Sequence, residues 1–200
     1  MRIMQLCMIA AGSILSAYGI TLAIFAGFGS ATLGVLWQGV ALSLGISLGQ
    51  ASYIVAGVMI LFSFFYDRRQ LHVGTILYQA LYGAFVDIFA KVHVYSRFIW
   101  LNFVLMLLGI ILFALGTSLY ASADWGRGSY EAVTYALAEK NRQQIKTVRI
   151  ILDAAVVIIG VCLGGEFGLC TICTILLSGP VIQWSAKRLA KWKQRLGLSF

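Results

Sequence analysis

Arg149 and Asp153 stand four residues apart inside the apolar run QIKTVRIILDAAVVIIGVCLGG, from Gln144 to Gly165. On a helix that spacing puts both on one face about 6 Å apart along the axis, close enough to pair. An ionised side chain near the bilayer centre costs about 3 kcal/mol on insertion scales, so the pair is expected to face protein or a watery cavity. Two readings stand side by side: a binding or relay site, or an arginine that snorkels to the interface with the aspartate as its structural partner.

The other residues with chemistry to offer cluster at two glycine-bearing turns, GFGSAT at 27–32 and DWGRGS at 124–129. A helix that starts at such a turn points free N–H groups and positive partial charge at whatever lies beyond it. Asp124, Gly126, Gly128 and Glu131 are therefore candidate substrate-binding residues beside Arg149 and Asp153. Glu131 also sits where an acid favours a helix dipole, and loops capped by Thr32 and Ser129 are the plainer alternative. Asp87, expected to pair with Lys91 four residues on, and Gln38 complete the set. Gln50, Gln79, Asn102 and Gln183 read as interhelical hydrogen-bonding groups worth about 0.6 kcal/mol each.

Metal and cofactor chemistry find no footing. His72 and His93 fall in separate loops, and the C-x-x-C of Cys170 and Cys173 lies in an apolar segment without histidines nearby, so packing is its expected role. The chain lacks a Gly-rich phosphate loop, a G-x-S-x-G elbow and an H-E-x-x-H helix. Neither an enzyme nor a self-contained ATP-driven pump is expected.

The elements that must carry these residues follow from composition. With 60% hydrophobic and 11% charged residues and a mean hydropathy of +0.90, the chain reads as an integral membrane protein. Its apolar runs are continuous rather than alternating, which implies helices and not a barrel. Six runs are long enough to cross, since about 20 residues suffice: 3–28, 47–66, 71–89, 98–121, 145–164 and 167–184. The first is too long for a signal-peptide core and is taken as a span. Ala31–Leu44 and Ser129–Lys140 are short, and the latter is amphipathic, so both are expected to lie in the interface or to re-enter. Trp37, Trp100, Trp125 and Trp184, near the ends of runs, suggest interfacial belts.

A shift of 97 positions lays Gly12 on Gly109, Gly19 on Gly116 and Phe28-Gly29 on Trp125-Gly126. One deletion then brings Val73-Gly74-Thr75 onto Leu169-Cys170-Thr171 and Gly83 onto Gly179. The fold expected is all-α: a polytopic transmembrane bundle of two repeats, residues 1–97 and 98–186, each of three long spans plus one short helix, followed by a basic cytoplasmic tail at 187–200. Three spans per half invert the second half relative to the first. With six spans, only Lys91 and Arg97 of the 15 basic residues lie outside. Eight spans would exchange these two for Arg68, Arg69 and Arg127, so charge barely separates the topologies; both keep the termini cytoplasmic. The net charge of +8 is thus a sorting signal, and nucleic acid is not expected as a partner.

From Gly12 through Trp184 the chain resembles the YczE/YyaS/YitT group of small bacterial inner-membrane proteins, the YczE-like branch in particular. The residues that carry the likeness are Val35 to Gly39, Leu44 to Ser52, Val73-Gly74-Thr75 with Gly83 and Asp87, Ala114 to Tyr120, Asp124 to Gly128, Arg149 with Asp153, and Gly179-Pro180. The group carries a proline and an acid at the start of each short helix. This chain has Thr32 and Gly34, then Ser129 and Glu131, so the acid of the first half is missing. The resemblance implies a bacterial plasma-membrane protein of suspected transport or export function. The expectation is a small-solute secondary transporter or facilitator, its partners the bilayer and a small-molecule solute, with self-association or a membrane-protein partner left open. The alternative is a non-transporting partner that scaffolds or regulates an enzyme or complex.

Overall fold

The computed structural model describes residues 2–92 and 95–195, excepting the Lys146 side chain; His93 lies outside them. The described chain is helical: α1 (Arg2–Phe25), α2 (Thr32–Leu44), α3 (Leu48–Asp67), α4 (Val73–Val92), α5 (Ile99–Ala121), α6 (Ser129–Lys140), α7 (Ile145–Cys162) and α8 (Leu169–Arg195), with a 3-10 turn at Arg68–Gln70. Helices α1, α3, α4, α5 and α8 are long and apolar enough to cross a membrane. Helix α7 carries Lys146, Arg149 and Asp153 in 18 residues, and its length of about 27 Å approaches the roughly 30 Å of a hydrocarbon core.

Hydrogen bonds between distant segments fix which ends lie together. Near the start of α1, Gln5 donates to the Ala123 carbonyl just beyond α5, and near the end of α8, Lys193 donates to the Ser122 carbonyl and Asp124. Asn141, after α6, donates to Tyr66 near the end of α3, and the Gly74 amide opens α4 against the Trp125 carbonyl. At the other end the Ser30 amide meets the Glu166 carbonyl and the Cys170 amide meets the Phe28 carbonyl. Ser43, near the end of α2, donates to Leu163 at that same far end. Helix α2 therefore begins and ends at the far end of the bundle. Helix α6 begins and ends at the near end, with the two described chain ends. The six longer helices run between the ends.

The centre is the antiparallel crossing of α1 and α5, the most extensive pairing in the bundle. Gly12 and Gly19 of α1 meet Gly116 and Gly109 of α5, and a Cβ on Gly19 would strike the Phe113 amide nitrogen. Small residues at such a crossing let backbones approach where there is no solvent to drive helices together. Around this pair α4 packs on α1 and α8 on α5; α2 rests on α3 and α7, and α6 on α3 and α7. Helices α3 and α4 pack side by side, whereas α7 and α8 do not pack along their length.

Four expectations change. Helix α8 runs on to Arg195, so the expected tail from 187 is a helical extension through that residue, and Lys193 is buried. Its ammonium is 2.7 Å from Asp124, a partner contributed by a turn 69 positions upstream. Trp37 is buried against the Tyr82 ring rather than belting an interface, while Trp100 and Trp184 are exposed. Thr32 and Ser129 are the first helical residues, preceded by Ala31 and Gly128, and neither short helix has a side-chain cap. Gln50 answers Ser47 in a capping box at the start of α3 rather than bridging helices.

Gly19→Val is expected to cost about 1–3 kcal/mol through overpacking, read as a lower midpoint in a thermal scan of monodisperse protein in detergent. Gly57→Ala, where an added Cβ meets nothing within 4 Å, should leave that midpoint within error.

Candidate functional site

A cavity of about 1060 Å³ lies between the halves of the bundle. It runs from Arg69, His72 and Arg127 at the near end down to Thr32, Leu33 and Trp37 on α2. Helix α2 is its floor. The walls come from α4, α5, α7 and α8. Gly126 and Gly29 set the loops at its two ends, each with positive φ and each pressed against another segment: Gly126 against Thr75, Gly29 against Gly168. A side chain at either place would be strained as well as crowded.

Asp124, Gly126, Gly128, Glu131, Arg149 and Asp153 all line this cavity. Gln38 and Asp87 do not. The Gln38 carbonyl oxygen accepts from the Glu166 amide on the outer side of the far end. Asp87 accepts from Ser47 Oγ at 2.6 Å and the Gly49 amide at 2.7 Å. It ties α4 to the start of α3, because free donors at a helix N-terminus compete better for a carboxylate than an exposed lysine on its own helix. Lys91 is not its partner.

The expected Arg149–Asp153 ion pair also fails to form. Among the described residues the one ion pair is Lys193–Asp124. Tyr130 of α6 stands between the two α7 residues instead: its hydroxyl donates to Asp153 Oδ1 at 2.6 Å, and the Arg149 guanidinium lies 5.6 Å from its ring centroid. Burial, then the adjacent Asp153 carboxylate, hold the Tyr130 phenol well above its usual range, so it remains a donor. Helical spacing allowed the pair, and a side chain from another helix supplied each member with a different partner.

Glu131 is the third residue of α6, half-buried, its carboxylate turned back towards Gly128. Among the described residues it has neither a hydrogen-bond nor an ion-pair partner. It faces a tyrosine wall that spacing did not single out. Tyr78 stacks on Tyr120 at 3.9 Å and on Tyr82 at 5.5 Å, and Tyr82 lies 5.7 Å from Trp37. The Tyr82 hydroxyl is buried without a hydrogen-bond partner. Tyr78 and Tyr82, in the middle of an apolar run rather than at its ends, were the available signal, since a phenol in hydrocarbon needs an answering group. Among the described residues no cluster of three His, Cys, Asp or Glu is fit to hold a metal ion. Cys170 is buried and Cys173 half-buried, both free thiols, consistent with packing.

Residues 3–187 match the family described as "Family of unknown function (DUF6198)". Two relatives are similar over most of their length. One is an uncharacterized protein of Haemophilus influenzae, 28% identical over 171 residues, 85% of this chain and 78% of the relative. The other is the "Uncharacterized membrane protein YczE" of Bacillus subtilis, 27% identical over 180 residues, 88% of this chain and 82% of the relative. No solved structure matches the chain.

A hydrated cavity makes a direct prediction. In protein whose native cysteines are replaced by serine, Thr117→Cys on the wall should react with a charged methanethiosulfonate at least tenfold faster than Ile158→Cys. Ile158 is exposed on α7 outside the cavity, on a surface expected to meet acyl chains, where a thiol neither ionises nor meets the reagent. Equal rates would mean a dry cavity.

Proposed function

The chain belongs to the DUF6198 family, and from that premise and the cavity we propose that it is a small-solute secondary transporter or facilitator of the bacterial inner membrane. The observation that carries this reading is the placement of Glu131, Arg149 and Asp153, from α6 and α7, around a single cavity that reaches from one end of the bundle to a short helix at the other. Unpaired ionisable groups deep in a membrane protein are costly and mark pathways more often than they mark packing. Asp153 and Glu131 are the groups to take a proton or a cationic part of a solute. Arg149 would hold the opposite charge.

The pairing of the halves supports the same reading. Thr171 Oγ1 donates to the Ser30 carbonyl at 2.5 Å, and Thr75 Oγ1 to the Arg127 carbonyl at 2.6 Å. The Cys170 amide meets Phe28 as the Gly74 amide meets Trp125. These are the residues that the 97-position shift and its one deletion superpose. We take the halves as inverted repeats, so that the clasp closing the far end has a counterpart at the near end. Exchange of the two arrangements would turn the opening over, as alternating access requires.

The near end carries all basic residues except Lys91 and Arg97, so the positive-inside bias assigns it to the cytoplasm and with it both described chain ends. The scaffold alternative would use the basic tail and the 140–149 loop as docking surface. Of the tail's basic residues, Lys193 is committed to Asp124, while Lys187, Arg188, Lys191 and Arg195 are exposed.

Two-sided access is the test. Thr32→Cys on the cavity floor, in oriented vesicles, should be modified by an impermeant thiol reagent from the cytoplasmic face and, more slowly, from the opposite face. Modification from the cytoplasmic face alone, at every temperature and pH tried, would leave a pit and not a carrier.

A further inference from the structure

We infer that the cavity binds a lipophilic ammonium ion, its N–H groups held by Glu131 and the Tyr82 hydroxyl and its apolar part lying in the gap between α7 and α8. The inference rests on the carrier reading for its purpose, but on separate observations for its chemistry.

Glu131 presents a carboxylate with neither an ion-pair nor a hydrogen-bond partner among the described residues. A half-buried carboxylate on a cavity wall calls for an opposite charge or donors to answer it. The helix N-terminus beneath it does part of that, and the rest is left to a ligand. The groups around it are of one kind: its charge is felt by Tyr78, Tyr82, Tyr120 and Tyr130. Tyrosine faces attract organic cations and repel anions. Tyr82, 2% exposed, lines the cavity and carries a buried hydroxyl without a hydrogen-bond partner. An unpartnered phenol oxygen can accept from an N–H donor, which favours a protonated amine over a quaternary ion.

The arginines do not reverse this. Arg127 lies 3.5 Å over the Tyr135 ring and Arg149 over that of Tyr130 beside Asp153, so both have aromatic or acidic company already. With Arg69 they guard the aqueous mouth and disfavour small hydrated cations there. A second way in is apolar. Where α3 and α4 close on each other, α7 and α8 stay apart. Ile150 and Ile175 line the cavity from these two helices and are 56% and 50% exposed. With Ile182 and Pro180 they form a wall that suits a hydrocarbon or aromatic group arriving from the bilayer.

The test is equilibrium binding of tritiated 4-phenylbutylamine to the full-length protein in lipid nanodiscs, with 4-phenylbutyrate as the anionic counterpart. Saturable binding is expected, displaced by unlabelled amine and not by the acid. Glu131→Gln should weaken it by about tenfold or more, and Tyr82→Phe by about fivefold, the range for a lost charged and a lost neutral hydrogen bond. Tyr82→Phe, which leaves shape and fold intact, decides the matter should Glu131→Gln aggregate. Equal competition by the acid, or unchanged amine binding in both variants, would overturn the inference. Labelling of Thr32→Cys from both faces without amine binding removes this ligand class and leaves the carrier. Amine binding without far-face labelling does the reverse.

Discussion

Everything in the bundle hangs on the close crossing of α1 and α5. Lipid offers no hydrophobic reward for bringing two apolar helices together, so contact must come from surfaces that fit, and four glycines supply the fit. With these two helices locked antiparallel, α4 and α8 are carried on opposite flanks, and the short helices are left to fill opposite ends. The cavity is the space that this arrangement leaves unfilled. It exists because α8 is held by α5 and α7 by α2 and α6, with little to draw α7 and α8 together.

Within that frame the acidic residues divide by what reaches them. Asp87 is consumed by the free donors at the start of α3, Asp67 by the turn that follows it, and Asp124 by Lys193. Each is explained by structure. Asp153 keeps one hydrogen bond from Tyr130, and Glu131 has none among the described residues. Both line the cavity with Arg149, and neither has a cationic partner among the described residues. The tyrosines beside them give the cavity a polar yet uncharged wall, able to meet a ligand's charge without adding one of its own.

Much of this was legible beforehand. The helices, their number and most of their limits follow from long apolar runs broken by charge, and Ser129–Lys140 was bounded correctly because glycine and charge flank it on either side. Six of the eight candidate site residues line the cavity. Gln38 and Asp87 lie outside it: a polar residue in an apolar run announces that it needs a partner, and does not say whether that partner is a ligand, a neighbouring backbone or another helix's first turn. The same ambiguity hid Tyr82, and let Arg149 and Asp153 pass for an ion pair.

The sequence alone determined that this is a membrane-embedded all-helical chain with polar residues concentrated at two glycine turns and on α7, because hydropathy and helical period are properties of neighbours along the chain. Only the tertiary structure decided which of those polar residues face one another. That choice depends on contacts between segments as far apart as Gln5 and Ala123 or Tyr130 and Asp153, and no local pattern records which distant side chain arrives first at a donor or a charge.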